Sequence, residues 1–125
     1  MSFVNCSKVC VNDSNIKGGG SGAFANEDIK KGELVETGIV RRVSINGHYC
    51  PYVFTWSKDR TIWAIGSGCS TFYNSSQNPN THMIRNFDQD TFEIYALHDI
   101  SKGEELTHKY KSLEWRKCFI GLNNS

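Results

Sequence analysis

Two stretches carry residue types that could build a ligand site. The first is residues 68–80, which read Gly-Cys-Ser-Thr-Phe-Tyr-Asn-Ser-Ser-Gln-Asn-Pro-Asn. Phe72 and Tyr73 require burial, while Asn74, Ser75, Ser76 and Asn78 offer donors and acceptors that need partners. Pro79 has no N–H to give and pushes Asn78 out of the helical region. An aromatic anchor running straight into polar, bent backbone suits the wall of a binding site. A polar turn between two strands would present the same residues. The second stretch, residues 12–22, holds Gly18, Gly19 and Gly20 followed by Ser21 and Gly22. Backbone without Cβ atoms can bring its N–H and C=O groups close to a ligand, or can simply turn. No Gly-Lys-Ser/Thr follows, so this is not a phosphate-binding P-loop.

Composition bounds what such a site could serve. A chain of 125 residues suits one domain with one modest core. Apolar content is 38%, but seven Phe, five Tyr and three Trp each bury a large area. The formal charge of +1 gives no basic stripe for nucleic acid and no acidic bias toward basic tails. No window approaches the length of a membrane span, and no apolar leader opens the chain, so neither membrane insertion nor secretion is expected. The five cysteines, Cys6, Cys10, Cys50, Cys69 and Cys118, are odd in number and form no C-x-x-C pair. That argues for free thiols in a reducing compartment over a disulfide framework or a zinc site. Cys6 and Cys10 are expected to act as small hydrophobes.

The elements that must position the two stretches read as strands. Residues 3–11 are expected to open the fold as a strand, and residues 33–45 form a Val- and Ile-rich one. Asn46-Gly47 signals a tight turn. Residues 49–56 and 60–65 alternate aromatic and polar side chains, which predicts two more strands. Residues 82–87 and 91–97 flank Asp88-Gln89-Asp90 and predict a hairpin with Phe92, Ile94 and Ala96 on one face. Residues 112–119 suit a short helical turn, and no long amphipathic helix is evident. A local echo is also present. Phe24-Ala25 followed by Asp28-Ile29, Lys31-Gly32 and Leu34 resembles Tyr95-Ala96 followed by Asp99-Ile100, Lys102-Gly103 and Leu106. In each copy the glycine is expected at positive φ, where the chain reverses.

Taken together, these blocks resemble the SET-domain lysine methyltransferases. Gly20-Ser21-Gly22-Ala23-Phe24-Ala25 matches the family's first glycine block. Phe72, Asn74, Ser76, Pro79 and Asn80 match its aromatic-x-Asn-His-Ser-x-x-Pro-Asn segment, with Ser75 in the place usual for histidine and Gln77 in the place of a common cysteine. Glu104-Glu105-Leu106-Thr107-His108-Lys109-Tyr110 matches its Glu-Glu-Leu/Ile-Thr-x-x-Tyr block, with Lys109 departing from the usual Asn or Ser. Trp115 falls five residues past Tyr110, an offset similar to that in compact single-domain viral members. The likeness runs from about Val11 to Trp115 and rests on ordered blocks, which together are far more specific than any one.

The resemblance implies a mainly β SET fold, with several small sheets around a knotted C-terminal segment and few short helices. It implies one domain over residues 1–125 with no pre-SET region and no zinc-binding post-SET region. It also implies methyl transfer from S-adenosylmethionine to the side-chain amine of a lysine in a protein, with a histone tail among the fitting substrates. The resemblance assigns Tyr110 to orienting the amine and Tyr52 to the second wall of its channel, where core packing is the alternative for Tyr52. Gly20, Ser21 and Gly22 would hold the cofactor's amino-acid end, Asn74 and Ser75 its polar and adenine portions, and Trp115 would cover the ring or plug the core. The chemistry suits such residues. A free lysine has a pKa of about 10.4, and an apolar channel beside a sulfonium would lower it. Positioning then supplies most of the rate. Such a protein would work inside the cell, the nucleus or a host nucleus included. Self-association to complete a peptide groove is compatible with a chain this short. The contrasting reading is a SET-like module that docks a protein tail without catalysis.

Overall fold

A computed structural model describes residues 2–16, 18, 20–48, 50 and 52–109. The described chain is mainly β, as expected, with one 3-10 turn at Ser70–Phe72. Nine strands are described: β1 Val9–Asp13, β2 Ser21–Ala25, β3 Leu34–Val43, β4 Phe54–Thr55, β5 Trp63–Gly66, β6 Asn74–Ser75, β7 Thr81–Asn86, β8 Thr91–Ala96 and β9 Glu105–His108. They form two sheets. One has the order β1-β2-β9-β6 and the other β4-β5-β3-β8-β7. The expected helical turn at residues 112–119 and the C-terminal segment after Lys109 lie outside the described residues.

The first sheet is built on small residues. β2 is central, between β1 and β9, and Gly22, Ala23, Phe24 and Ala25 are all buried. A strand covered on both faces at such close quarters needs short side chains, and Gly and Ala supply three of the four. β9 is likewise central, with Leu106, Thr107 and His108 buried. It pairs antiparallel with β2 and parallel with β6, through Asn74 opposite Thr107 and Ser75 opposite His108.

The second sheet is centred on β3. Leu34 faces Tyr95 and Glu36 faces Ile94, so Val35 is an extra residue, a β-bulge. The bulge turns Val35 and Glu36 inward together. The β7–β8 hairpin forms as predicted, and Phe92, Ile94 and Ala96 share the buried face. Its turn is tied down by Asp90, whose carboxylate accepts from Arg42 at 3.0 Å and from the buried Trp56 indole at 2.9 Å. Trp56 also meets the Phe87 ring edge-on at 5.4 Å.

The echoed segments turn out to pair with each other. Ile29 and Ile100 exchange backbone bonds of 2.8 and 2.7 Å. The Asp99 carboxylate accepts from the Lys31 N–H at 2.9 Å, and the Asp28 carboxylate accepts from the Lys102 N–H at 2.8 Å. Gly32 donates to Ala96 at 2.9 Å while Gly103 donates to Ala25 at 2.8 Å. Both glycines sit at positive φ, 83° and 89°. The repeat thus forms a local two-fold clasp that joins the two sheets and delivers the chain into β9.

Several expectations require correction. The opening strand is not residues 3–11 but Val9–Asp13, since Asn5 makes only an isolated bridge to Thr37. Residues 49–56 and 60–65 shrink to the short strands β4 and β5 because they pair only with each other and with the end of β3. Phe72 is 38% exposed, whereas Tyr73 is 1% exposed. The 3-10 turn can seat only one of the adjacent rings inside. The chain at Asn46-Gly47 does turn, but the strand that returns to β3 is β5, well downstream.

Open space surrounds the position a Cβ would take at Gly32 and Gly103, so only backbone strain opposes a side chain there. Gly32→Ala and Gly103→Ala should each lower unfolding free energy by about 1–2 kcal/mol in urea titrations, with no change in spectroscopic fold.

Candidate functional site

The glycine loop and the 68–80 stretch meet at β9. Asn74 donates its side-chain amide to the Ser21 carbonyl at 3.1 Å and to the Glu105 carboxylate at 3.3 Å. Gly20 adopts φ of 61°, and nothing stands within 4 Å of the place its Cβ would occupy. At Gly22 the opposite holds, for a Cβ there would lie 2.6 Å from Glu105 Oε2. The loop therefore leaves open space beside one glycine, whose carbonyl accepts the Ser14 N–H at 2.8 Å, and closes on a carboxylate at the next. Open space beside a glycine, next to fixed polar side chains, is what a small polar ligand needs for close approach.

A second set of bonds threads β9 through the downstream part of the same stretch. Asn80 is buried and acts as a substitute strand edge. Its Oδ1 accepts from Thr107 N–H at 2.8 Å, and its Nδ2 donates to the Glu105 carbonyl at 2.8 Å. Thr81 donates its hydroxyl to the Thr107 carbonyl at 2.7 Å, and Ser76 donates its N–H to the His108 carbonyl at 2.9 Å. Glu104 accepts from Asn80 Nδ2 at 3.3 Å. Pro79 makes the bend that allows this, because the stretch leaves pairing after Ser75 and resumes it at Thr81.

Behind this wall lies a buried acid. Glu36 is 1% exposed and accepts from the Tyr73 hydroxyl at 2.9 Å and the Cys69 N–H at 2.9 Å. Burial raises the Glu36 pKa against the pull of both bonds. Burial and the neighbouring Glu36 carboxyl also hold the Tyr73 phenol protonated. Desolvation and Glu36 push the Cys69 thiol up to about 12, so it is no nucleophile. This group is a brace that seats the 3-10 turn on β3. His108 packs against the Tyr73 ring at 5.9 Å. Burial, and then the Arg85 charge, depress its pKa from 6.5 to about 4, while a backbone bond at Tyr73 acts the other way.

Of the residues expected in the site, Gly20, Ser21, Gly22 and Asn74 are brought together. Ser75 lies beside them, paired with His108. Tyr52 is 63% exposed, which rules out core packing, and it precedes β4 on the other sheet. Tyr110 and Trp115 lie outside the described residues. The site also uses residues that sequence reasoning passed over. Glu36 was only a polar interruption in a strand, and Glu105, Asn80 and Thr107 were letters in a matched block. A carboxylate in a Val-rich strand was the one available signal for Glu36.

A SET domain family model matches residues 20–111. The chain belongs to the SET domain family. No curated protein matches it. Among solved structures it is similar to a Plasmodium falciparum protein provisionally called a histone methyltransferase, with 24% identity and a TM-score of 0.65 over 82% of this chain and 92% of that one. It is also similar to a humanized mutant of the Chaetomium thermophilum Polycomb Repressive Complex 2 bound to the inhibitor GSK126, with 25% identity and a TM-score of 0.72 over 86% of this chain. The same complex in an autoinhibited conformation bound to S-adenosylmethionine matches at 23% identity and a TM-score of 0.71 over 86% of this chain. This SET domain spans only 15% and 16% of those two chains. The blocks that the family model covers include both walls of the site, and methyltransferase chemistry is the class they support.

His108 supplies a pH dependence. Unfolded chains protonate this histidine near pH 6.5, while the folded protein resists until about pH 4. Its contribution is thus complete above pH 6.5 and is lost as pH falls toward 4. Unfolding free energy should drop by about 2 kcal/mol between pH 7 and pH 5 through this group. In His108→Phe, which keeps the ring contact, denaturant titrations should show that part of the slope gone.

Proposed function

We propose that this SET domain transfers a methyl group from S-adenosylmethionine to the side-chain amine of a lysine in a protein. The observation that carries the reading is the 3.1 Å bond between the Asn74 amide and the Ser21 carbonyl. It joins two stretches more than fifty residues apart at the edge of the strand that leads toward Tyr110. Family membership supports the reaction class. The fit of the residues supports the cofactor, since open space beside Gly20, a half-buried amide at Asn74 and the polar Ser75 suit a zwitterionic amino-acid end and a nucleoside.

S-adenosylmethionine supplies an electrophilic methyl on a sulfonium. A neutral amine would take that methyl, with the thioether as the leaving group. The amine must first lose a proton to water. The protein's task is to hold the amine neutral and in line, a matter of desolvation and orientation. Gly20, Ser21 and Gly22 would hold the amino-acid end, and Asn74 with Ser75 the nucleoside side. By the family pattern Tyr110 would orient the amine, Tyr52 would flank the channel mouth, and Trp115 would cover the adenine. The exposed position of Tyr52 fits a mouth better than a deep wall. The partner is a lysine-bearing protein tail met inside the cell. A histone tail is the leading class, because a protein of similar fold carries that description.

Calorimetry should show uptake of S-adenosylmethionine, and labelled methyl should move to mixed histones or a lysine peptide array. Absence of uptake at millimolar cofactor would overturn the reading. Tyr110→Phe should lower kcat at least tenfold while changing cofactor Kd less than threefold. Lys109 is exposed at the end of β9, where the family usually has a small polar residue, and this favours a second reading as a tail-docking module. Peptide binding without label transfer would select it.

A further inference from the structure

We infer that Glu105 is the positioning residue of the glycine loop, holding it in its binding shape before any cofactor arrives. The inference rests on the cofactor reading above and adds a residue to it. Glu105 reaches from β9 across β2 to the start of the loop. Its Oε1 accepts the Asn15 N–H at 2.8 Å, and its Oε2 accepts the Ser14 hydroxyl at 2.6 Å. The same Oε2 accepts the Asn74 amide at 3.3 Å. One carboxylate thus joins the loop's entry to the opposite wall. Gly22 is what admits it, since any Cβ there would collide with Oε2.

The loop itself needs such a hold. Gly18 and Gly20 both lie at positive φ with open space beside them. Among the described residues, the loop is tied internally by Ser14 N–H to the Gly20 carbonyl at 2.8 Å and Ile16 N–H to the Ser14 hydroxyl at 3.0 Å. Ser14 belongs to both ties and is itself fixed by Glu105. A glycine-rich loop free to wander would have to be ordered by the ligand, at a cost to affinity. Three donors converging on one carboxylate remove that cost in advance, and charge-assisted bonds are strong enough to do so. A glutamine cannot replace it. Its NH2 would face either the Asn15 N–H or the Asn74 amide, a donor against a donor.

The test compares wild type, Glu105→Gln, Ser14→Ala and the double variant. Glu105→Gln should raise the Kd for S-adenosylmethionine about tenfold, with kcat at saturating cofactor and peptide KM within twofold. Amide hydrogen exchange at residues 14–22 of the unliganded protein should accelerate, while β7 and β8 keep their protection. Ser14→Ala should weaken binding less, and the double variant should be no worse than Glu105→Gln alone. Unchanged exchange in Glu105→Gln overturns the loop role whether or not cofactor binds. Wild type that binds, with Glu105→Gln binding equally well, overturns the link to affinity. Wild type that takes up no cofactor overturns the underlying reading and the affinity claim with it. A uniform loss of protection across both sheets would make Glu105 a general stability residue and defeat the proposal.

Discussion

The described fold depends on keeping β9 paired on both edges although one of its neighbours is barely a strand. β2 covers one side with ordinary antiparallel bonds. On the other, β6 supplies only Asn74 and Ser75, after which the chain bends at Pro79. Buried backbone groups left open there would each cost about 1–3 kcal/mol. Asn80 closes the gap by presenting an amide in place of a peptide, and Thr81 and Ser76 complete the set. The stretch that binds β9 is therefore the same stretch that walls the site. Stability and site geometry cannot be separated here.

That constraint explains why the polar residues fall into two kinds. Asn80, Thr81 and Thr107 are buried and spend their hydrogen bonds on β9. Asn74 and Ser75 are only half-buried and stand at the edge, beside the glycine loop. The change comes at the bend, where the chain passes from the rim of the sheet to its interior. Glu36 supports the arrangement from behind, holding Tyr73 and the 3-10 turn so that Asn74 emerges at a fixed angle. The clasp formed by the two echoed segments does the same for β9 from the other end.

Much of this was legible before any coordinates. The glycine block, the Asn-Ser-Ser-x-x-Pro-Asn bend and the Glu-Glu-Leu-Thr block are short segments whose residue types are dictated by local backbone demands, so they survive in one dimension. The β7–β8 hairpin was readable for the same reason, because alternation and a tight turn are local. The echo was visible as a repeat of two turns with positive-φ glycines, and both glycines adopt that conformation. Where the reading failed, the deciding partner was distant. The first strand moved because only residues from Val9 onward meet β2. Tyr52 and Phe72 remain at the surface while the adjacent Val53 and Tyr73 take the buried places.

The sequence by itself determined the fold class and the family, and it named the two stretches that meet at β9, since each is written in contiguous residues. Only the tertiary structure decided that the two echoed turns bond to each other, that Glu36 is buried beneath Tyr73, and that Glu105 reaches the glycine loop across β2. Those are contacts between residues tens of positions apart, with Glu105 bonded to Asn15 at a separation of ninety. No local propensity encodes such a pairing. It arises when two sheets close on one core and bring a carboxylate to donors far away in the chain.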